Sequence, residues 1–169
     1  MPRPDSDMRF IDPDQDPWQA LESDGSDAAV LEPAAHLLLD LVEWNLVRQR
    51  WPAALPVGLT LPNDADLDDV AMDLERFALV VLEFPKFTDG RAYSQAHLLR
   101  VRHRYAGELR ATGAVLVDML PQLARTGFDA VVLRPDQSRA AAERALRFFA
   151  GHYQGDVHEP RPRFARVAG

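Results

Sequence analysis

The sequence contains no cysteine. This absence excludes disulfide bonds, catalysis by a thiolate, cysteine-ligated zinc and cysteine-ligated iron–sulfur clusters. A chain without these groups cannot easily carry electrons on its own side chains. If it takes part in a redox process, it has to bind a cofactor non-covalently or act as an adaptor between other proteins.

Long apolar runs are also missing, since a membrane helix needs about 20 apolar residues. The best candidate covers residues 36–44 and is interrupted by Asp40 and Glu43. Residues 1–27 are acidic and rich in proline, unlike the basic start and apolar stretch of a secretory signal. We therefore expect a cytoplasmic protein that does not contact a membrane.

Basic charge is in short supply. The sequence has 19 Lys and Arg against 26 Asp and Glu, and its formal net charge is −7 at pH 7. Proteins that bind nucleic acid in general use a basic surface to displace counterions from the phosphates. We therefore expect no nucleic-acid partner, although the net charge leaves room for a local basic site.

Signature motifs for nucleotides, serine hydrolysis and metals are absent as well. The sequence has no GxGxxG, GxxxxGK[ST], GxSxG or HExxH pattern. His97 and His103 are six residues apart, which places them on different faces of a helix and does not suit a zinc or non-haem iron site. We expect no metal and no cofactor.

The composition is that of a folded domain, with 47% hydrophobic and 27% charged residues in a chain of 169. We divide it into an acidic, proline-rich arm at residues 1–31, a single α/β domain at 32–153 and a C-terminal tail at 154–169. The arm is expected to be a solvated tail. Within it, residues 8–11 could form a short strand and Trp18 could dock onto the body of the domain as an anchor. The alternative is an acidic arm that meets a basic partner.

The domain begins with a predicted helix at residues 32–51, in which Leu38, Leu41, Val42 and Leu46 follow the spacing of one buried face. Further strands are predicted at residues 57–61, 77–84, 107–110 and 128–133, and further helices at residues 66–76, 89–105, 114–125 and 135–153, with a kink at Pro121.

This alternation predicts an α/β fold of about four βα units with a parallel sheet, preceded by a helix and an irregular acidic arm. Two arrangements fit, an open doubly wound sheet and half of a (β/α)₈ barrel. Gly107, Gly127 and Gly151 each follow a predicted helix, where a left-handed C-cap would lie. A half-barrel would also predict a homodimer, because pairing with a second copy closes its sheet edges.

Ligands of parallel α/β folds bind at the carboxyl ends of the strands. The loops that follow the predicted strands carry Lys86 and three arginines, and their convergence would form an anion site. The residues predicted to bind a ligand or a partner are Lys86, Thr88, Asp89, Gly90, Arg91, Ser94, Glu108, Arg110, Thr112 and Arg134.

Structural roles could account for part of this set. Asp89 is a typical helix-capping residue, and Gly90 suits a turn with a positive φ. The arginines could instead form ion pairs with Glu83 and Glu108. No catalytic residue can be assigned from the pattern.

Three blocks of the sequence resemble a known family. They are FPKFTDGRAYSQA at residues 84–96, GELRATG at 107–113 and GFDA at 127–130. They resemble an uncharacterised bacterial domain-of-unknown-function family, whose genes commonly lie beside the gene for the assimilatory sulfite reductase haemoprotein. Asp16-Pro17-Trp18 also resembles the N-terminal motif of this family. The family often has a cysteine before the GFDA block, where this chain has Thr126, and we infer that this cysteine is not required.

The resemblance implies a role in sulfate assimilation, and together with the missing catalytic motifs it favours a non-catalytic accessory protein. Such a protein would be an adaptor or electron-supply partner of the sulfite reductase haemoprotein, which it would contact through the acidic arm or the FTDGR segment. One alternative is a small-molecule enzyme or binding protein for an anionic ligand, with Asp89 or Glu83 as acid or base. A flavin- or nicotinamide-assisted oxidoreductase ranks third.

Overall fold

The computed structural model describes residues 8–21, 31–148, 155–157 and 159–161. In these residues the chain forms a seven-stranded sheet in which all neighbouring strands are parallel. The strands are β1 (Arg9–Phe10), β2 (Gln19–Ala20), β3 (Leu37–Leu39), β4 (Val57–Leu61), β5 (Phe77–Phe84), β6 (Glu108–Gly113) and β7 (Ala130–Val131). Their order across the sheet is β1-β7-β6-β5-β4-β3-β2.

The sheet is curled into a half-barrel, which confirms the predicted α/β class and decides between its two arrangements. Strands β3 to β7 follow one another across the sheet in chain order. An open doubly wound sheet reverses its strand order at a switch point, and this run of five strands contains no such reversal. The long central strands β4 and β5 lie at the predicted positions, because continuous apolar runs form strands that are buried on both faces.

Four helices follow the strands in the described part of the chain. They are α1 (Leu41–Val47) after β3, α2 (Arg91–Val101) after β5, α3 (Leu120–Thr126) after β6 and α4 (Arg139–Phe148) after β7. Two 3₁₀ segments, Leu67–Asp69 and Ala71–Arg76, connect β4 to β5. None of these elements is a helix of the length and apolarity needed to cross a membrane.

The main core lies between the helices and the convex face of the sheet. Because successive residues of a strand point to opposite faces, Val80, Leu82 and Phe84 of β5 all belong to this core. Trp44 of α1 is buried there with its ring 4.8 Å from that of Phe77, and its indole nitrogen donates to Asp73 at 2.8 Å. The opposite, concave face carries Leu79 and Val81 of β5, which pair in register with Glu108 and Arg110 of β6.

Arg100 of α2 ties this helix to the strands beside it. Its guanidinium donates to the carbonyl oxygens of Gly127, Tyr105 and Gly107 at 2.9, 2.5 and 2.9 Å, and to Asp129 Oδ2 at 2.5 Å. The same Asp129 oxygen accepts the backbone N–H of Leu109 at 2.9 Å. One side chain thus fixes the start of β6 and the segment before β7 relative to α2.

The N-terminal arm is part of the sheet over residues 8–21, which corrects the expectation of a solvated tail. The expected short strand forms as β1 and pairs with β7, while β2 pairs with β3 at the opposite edge. The arm therefore runs from one edge of the half-barrel to the other. Trp18 is the predicted anchor, and its ring lies 5.1 Å from that of His36 in an edge-on contact.

The predicted helix at residues 32–51 is wrong in its first half, where the chain forms β3. His36 has a left-handed conformation with φ 64°, and it accepts the N–H of Gln19 through its carbonyl. The helix begins only after Asp40, whose carboxylate accepts the N–H of Glu43 at 2.8 Å while the Glu43 carboxylate accepts the N–H of Asp40 at 2.8 Å. Val42 and Leu46 are exposed, because the apolar spacing spans a strand and a helix rather than one helical face.

Other element boundaries also differ from the predictions. The third predicted strand continues to Gly113 instead of ending at Arg110. Pro121 lies in the first turn of α3, where its missing N–H costs nothing, so it starts a helix rather than kinking one. The predicted helices at 66–76, 89–105 and 114–125 are shorter or of 3₁₀ type, and the predicted strand at 128–133 is reduced to β7. The helix predicted at 135–153 begins only at Arg139, and its predicted end lies outside the described residues.

Two of the three expected C-cap glycines can be compared with the structure. Gly127 ends α3 with φ 101°, as predicted. Gly107 is not left-handed. A Cβ there would lie 2.9 Å from the carbonyl oxygen of Phe77 and collide with the Tyr105 hydroxyl. Gly107 therefore allows Phe77 and Tyr105 to pack closely against the backbone and does not form a left-handed cap. Gly151 lies outside the described residues.

We predict that Gly113→Ala destabilises the protein. Gly113 has φ 88°, and an added Cβ would lie 2.5 Å from the carbonyl oxygen of Phe84. The expected loss in the free energy of unfolding is about 1–3 kcal/mol, measured by urea denaturation. Gly90→Ala is the matched control, because Gly90 has φ −86° and the added Cβ would have its nearest neighbour at 3.8 Å. An equal loss in the free energy of unfolding in both variants would contradict the assignment of the effect to backbone strain at position 113.

Candidate functional site

The loop that follows β5 carries the FTDGR motif and is mostly exposed. We call residues 85–91 the FTDGR loop. Pro85, Lys86 and Thr88 are exposed, and the Phe87 side chain has 57% of its surface accessible. A turn closes the loop, with the N–H of Asp89 donating to the carbonyl of Lys86 at 3.0 Å. The loop therefore presents a large apolar ring to solvent from a turn of defined shape.

Asp89 holds this turn in place. One of its oxygens accepts the side-chain amide of Asn63 at 2.7 Å, which connects the loop after β5 to the loop after β4. The carboxylate also accepts the backbone N–H of Arg91 at 3.2 Å and a two-pronged contact from its guanidinium at 3.0 and 2.7 Å. All three anchors are charge-assisted hydrogen bonds, which are the stronger kind.

These contacts change the acidity of both partners. The guanidinium of Arg91 holds the pKa of the Asp89 carboxyl well below its usual range, and the Arg91 backbone N–H and Asn63 act in the same direction. The Asp89 carboxylate in turn raises the pKa of Arg91. Asp89 is thus a carboxylate at any physiological pH, which does not suit the role of a general acid that we considered for it.

The start of α2 differs from the expected cap. Gly90 precedes the helix with φ −86°, so the positive φ expected from the Asp-Gly pair is not adopted. Ser94 lies exposed one turn into the helix. Tyr93 is half-buried and packs edge-on against Phe84, with ring centroids 5.0 Å apart, and burial raises the pKa of its hydroxyl. The base of the FTDGR loop is therefore packed, while its tip is exposed.

Arg110 lies inside β6 and not in a loop after it, because the strand is longer than predicted. Its side chain is only 4% exposed. It forms an ion pair with Asp16 of the arm and a second one with Glu108 at 2.9 Å. Glu108 is also bound by Arg9 at 2.6 Å. Two predicted site residues, Glu108 and Arg110, are therefore part of a network that joins the arm to the concave face.

The remaining predicted residues have other neighbours. Thr112 pairs in register with Glu83 at the carboxyl end of the concave face, and Arg134 forms an ion pair with Asp136 at 2.9 Å. Of the three arginines expected to converge with Lys86, each forms an ion pair with a carboxylate of this chain: Arg91 with Asp89, Arg110 with Asp16 and Glu108, and Arg134 with Asp136. The alternative prediction paired the arginines with Glu83 and Glu108, and the pair between Arg110 and Glu108 is present at 2.9 Å.

Two further residues have roles that sequence reasoning missed. Asp16 is one of many acidic residues in the arm, and nothing in the sequence connects it to Arg110, 94 positions away. Gln95 is buried in α2, and its side-chain nitrogen donates to the carbonyl of Pro62 at 2.9 Å, next to the Asn63 that binds Asp89. Its position on the inner face of the predicted helix was the available signal.

Metal-binding chemistry has no support in the part of the chain that the structure describes. Within residues 8–21, 31–148, 155–157 and 159–161, no three His, Asp or Glu side chains come together in a way that could hold a metal ion.

The chain belongs to the family described as a bacterial protein of unknown function (DUF934), whose model matches residues 58–164. The match covers more than half of the chain and includes the whole FTDGR loop, β6 and β7. No curated protein matches the chain. The arm lies before the matched residues, so its contacts with β6 join the family region to a segment outside it.

We predict that the pKa of Asp89 depends on Arg91. In a pH titration followed by carboxyl ¹³C NMR, the Asp89 pKa should lie below its ordinary value of about 3.9 and rise towards it in Arg91→Gln. Because the folded-state pKa is lowered, the stability contributed by this pair is present above about pH 4 and is lost as the pH falls further.

Arg102→Gln is the matched control for this titration. Arg102 is exposed just after α2 and pairs with Asp68 at 3.2 Å, so its loss should leave the Asp89 pKa unchanged. An Asp89 pKa that stays the same in Arg91→Gln would contradict the assigned cause.

Proposed function

We propose that this member of the DUF934 family is a non-catalytic, cytoplasmic accessory protein of assimilatory sulfite reduction. In this proposal it is an adaptor or electron-supply partner that docks on the sulfite reductase haemoprotein through the FTDGR loop. The pathway comes from the resemblance of three sequence blocks, at residues 84–96, 107–113 and 127–130, all of which lie inside the matched region.

The docking site is inferred from two properties of the FTDGR loop, its exposure and its rigidity. Phe87 exposes an aromatic ring, and such rings dominate the binding energy of many protein interfaces. Asp89 fixes the loop through Asn63 and Arg91, so little conformational entropy is lost when a partner binds. A loop of this kind suits recognition by another protein.

The state of the arginines supports a non-catalytic role. A small anionic substrate would need cationic side chains free to bind it, whereas Arg91, Arg110 and Arg134 already bind carboxylates of this chain. The lack of cysteine argues in the same direction, because electron transfer would then depend on a non-covalent cofactor. An adaptor needs neither a free cationic side chain nor a bound cofactor.

The docking site predicts that Phe87→Ser weakens binding to the sulfite reductase haemoprotein by tenfold or more, since loss of an aromatic anchor costs about 2 kcal/mol. Binding is measured by biolayer interferometry with the purified reductase of the same organism. Met72→Ser is the matched control, because Met72 is 94% exposed in the connection that precedes β5, at the other end of that strand. Equal affinity in the two variants would place any interface elsewhere.

The pathway is tested separately from the loop. A deletion strain should grow with cysteine as the sole sulfur source and fail with sulfate and sulfite. Growth of the deletion strain on all three sources would contradict a role in sulfite reduction. If the protein still binds the reductase in vitro, that growth result contradicts only the physiological assignment and not the docking site.

The alternative function is the binding of a small anion by Lys86 and Arg91, which are both exposed in the FTDGR loop before α2. A ligand present at a hundred times its dissociation constant stabilises the folded state by about 2.7 kcal/mol. We predict no such shift in thermal unfolding with sulfite, sulfate or phosphate. A shift that disappears in Arg91→Gln would favour the alternative over the adaptor.

A further inference from the structure

The arm contacts the sheet as a separate peptide would. Residues 8–21 form two short strands at the two edges of the half-barrel, and backbone hydrogen bonds connect them to it. The N–H groups of Arg9 and Ile11 donate to the carbonyls of Asp129 and Val131 at 2.9 Å each, and the N–H of Gln19 donates to His36 at 3.0 Å. This is the pattern of strand addition, in which an extended peptide binds to an exposed sheet edge.

The concave face has a space for the arm's tryptophan. Gly58 of β4 has no side chain, and an added Cβ would lie 3.1 Å from the ring of Trp18 and 2.9 Å from Leu38. The sheet register also shifts between Val57 and Gly58. Trp18 therefore occupies a position that the sheet leaves open, much as an anchor residue of a bound peptide occupies its pocket.

Charge complementarity fixes the middle of the arm. Arg110 is buried in the concave face and binds Asp16, while Glu108 beside it binds Arg9. The arm thus contributes one acidic and one basic group, and the sheet contributes the opposite pair. Because a buried charge that loses its partner is strongly destabilising, the concave face selects a peptide with a carboxylate two residues before a tryptophan.

Nine residues, 22–30, join this arm to the rest of the chain. An extended chain spans at most about 3.3–3.6 Å per residue, so nine residues can span no more than about 30 Å. That length is comparable to the size of a small domain, and it allows the arm to reach a neighbouring molecule. The contacts made by the arm would be the same in either molecule, which is the condition for exchange of an element between copies.

We propose that the concave face is a peptide-binding groove and that the arm of a second copy of this chain can occupy it, which gives an arm-exchanged dimer. Each copy then supplies Asp16 and Trp18 to its partner and receives the same residues in return. This inference does not depend on the proposed function, because it concerns the concave face and not the FTDGR loop.

A charge exchange between two full-length variants tests the proposal. In Asp16→Arg the arm repels its own groove, and in Arg110→Asp the groove repels its own arm. When the two are mixed, both attractive contacts can form only between different chains. We expect each variant alone to be monomeric in size-exclusion chromatography with light scattering. The mixture should give a 1:1 dimer with a higher unfolding temperature than either variant.

The double variant Asp16→Arg/Arg110→Asp restores the contact within one chain and shows whether the reversed pair is tolerated. Asp14→Arg makes the same charge change in the exposed turn of the arm and should not dimerise with Arg110→Asp. A folded double variant together with a purely monomeric mixture would overturn the proposal, because the arm would then bind only its own chain.

A second measurement covers the case in which Arg110→Asp does not fold. A labelled peptide of residues 8–21 is added to full-length Asp16→Arg, which retains the native groove. Measured by fluorescence anisotropy, the peptide should bind to the Asp16→Arg chain at least tenfold more tightly than to the wild type, because the wild-type arm competes for the groove. The peptide carrying the same Asp16→Arg change should not bind. Failure of the native peptide to bind the Asp16→Arg chain would reject the groove.

Discussion

The concave half of this protein depends on the ion pair between the buried guanidinium of Arg110 and the carboxylate of Asp16. A parallel sheet needs cover on both faces, and the helices of the described residues pack on the convex one. The arm covers the other face, and Arg110 holds it there through Asp16 while Glu108 binds Arg9. Because burying a charge is costly unless it is paired, the buried Arg110 depends on a partner such as the Asp16 carboxylate. The arm supplies one from outside the region that matches the family.

The two surfaces of the half-barrel have different physical properties. At the carboxyl end, Asp89 fixes a loop that leaves Phe87 exposed, which suits contact with another protein. On the concave face, the polar groups of the sheet are neutralised by the arm, and the Trp18 ring fills the space above Gly58. In our proposals the first surface serves recognition of the reductase and the second serves exchange between copies, so the two can operate at the same time.

Much of the fold could be predicted from local sequence. Strands β4 and β5 and the left-handed Gly127 lie where the pattern placed them, because apolar runs and glycine C-caps act over a few residues. The helix predicted at 32–51 was wrong in its first half, because the spacing of Leu38, Val42 and Leu46 is compatible with a helix, whereas strand β3 depends on pairing with β2 and β4. In the candidate site, Arg91 and Arg134 pair with carboxylates two residues away in the sequence. Arg110 also pairs with Asp16, which is 94 positions away.

By itself, the sequence determined the class of fold, the run of parallel strands and the exclusion of cysteine chemistry, because composition and short-range periodicity carry that information. Only the tertiary structure decided the half-barrel over the open sheet, the burial of Arg110 and the location of the arm. The ion pair between Asp16 and Arg110 joins residues 94 positions apart, and such contacts form only when the curled sheet brings its edges within reach of one short segment.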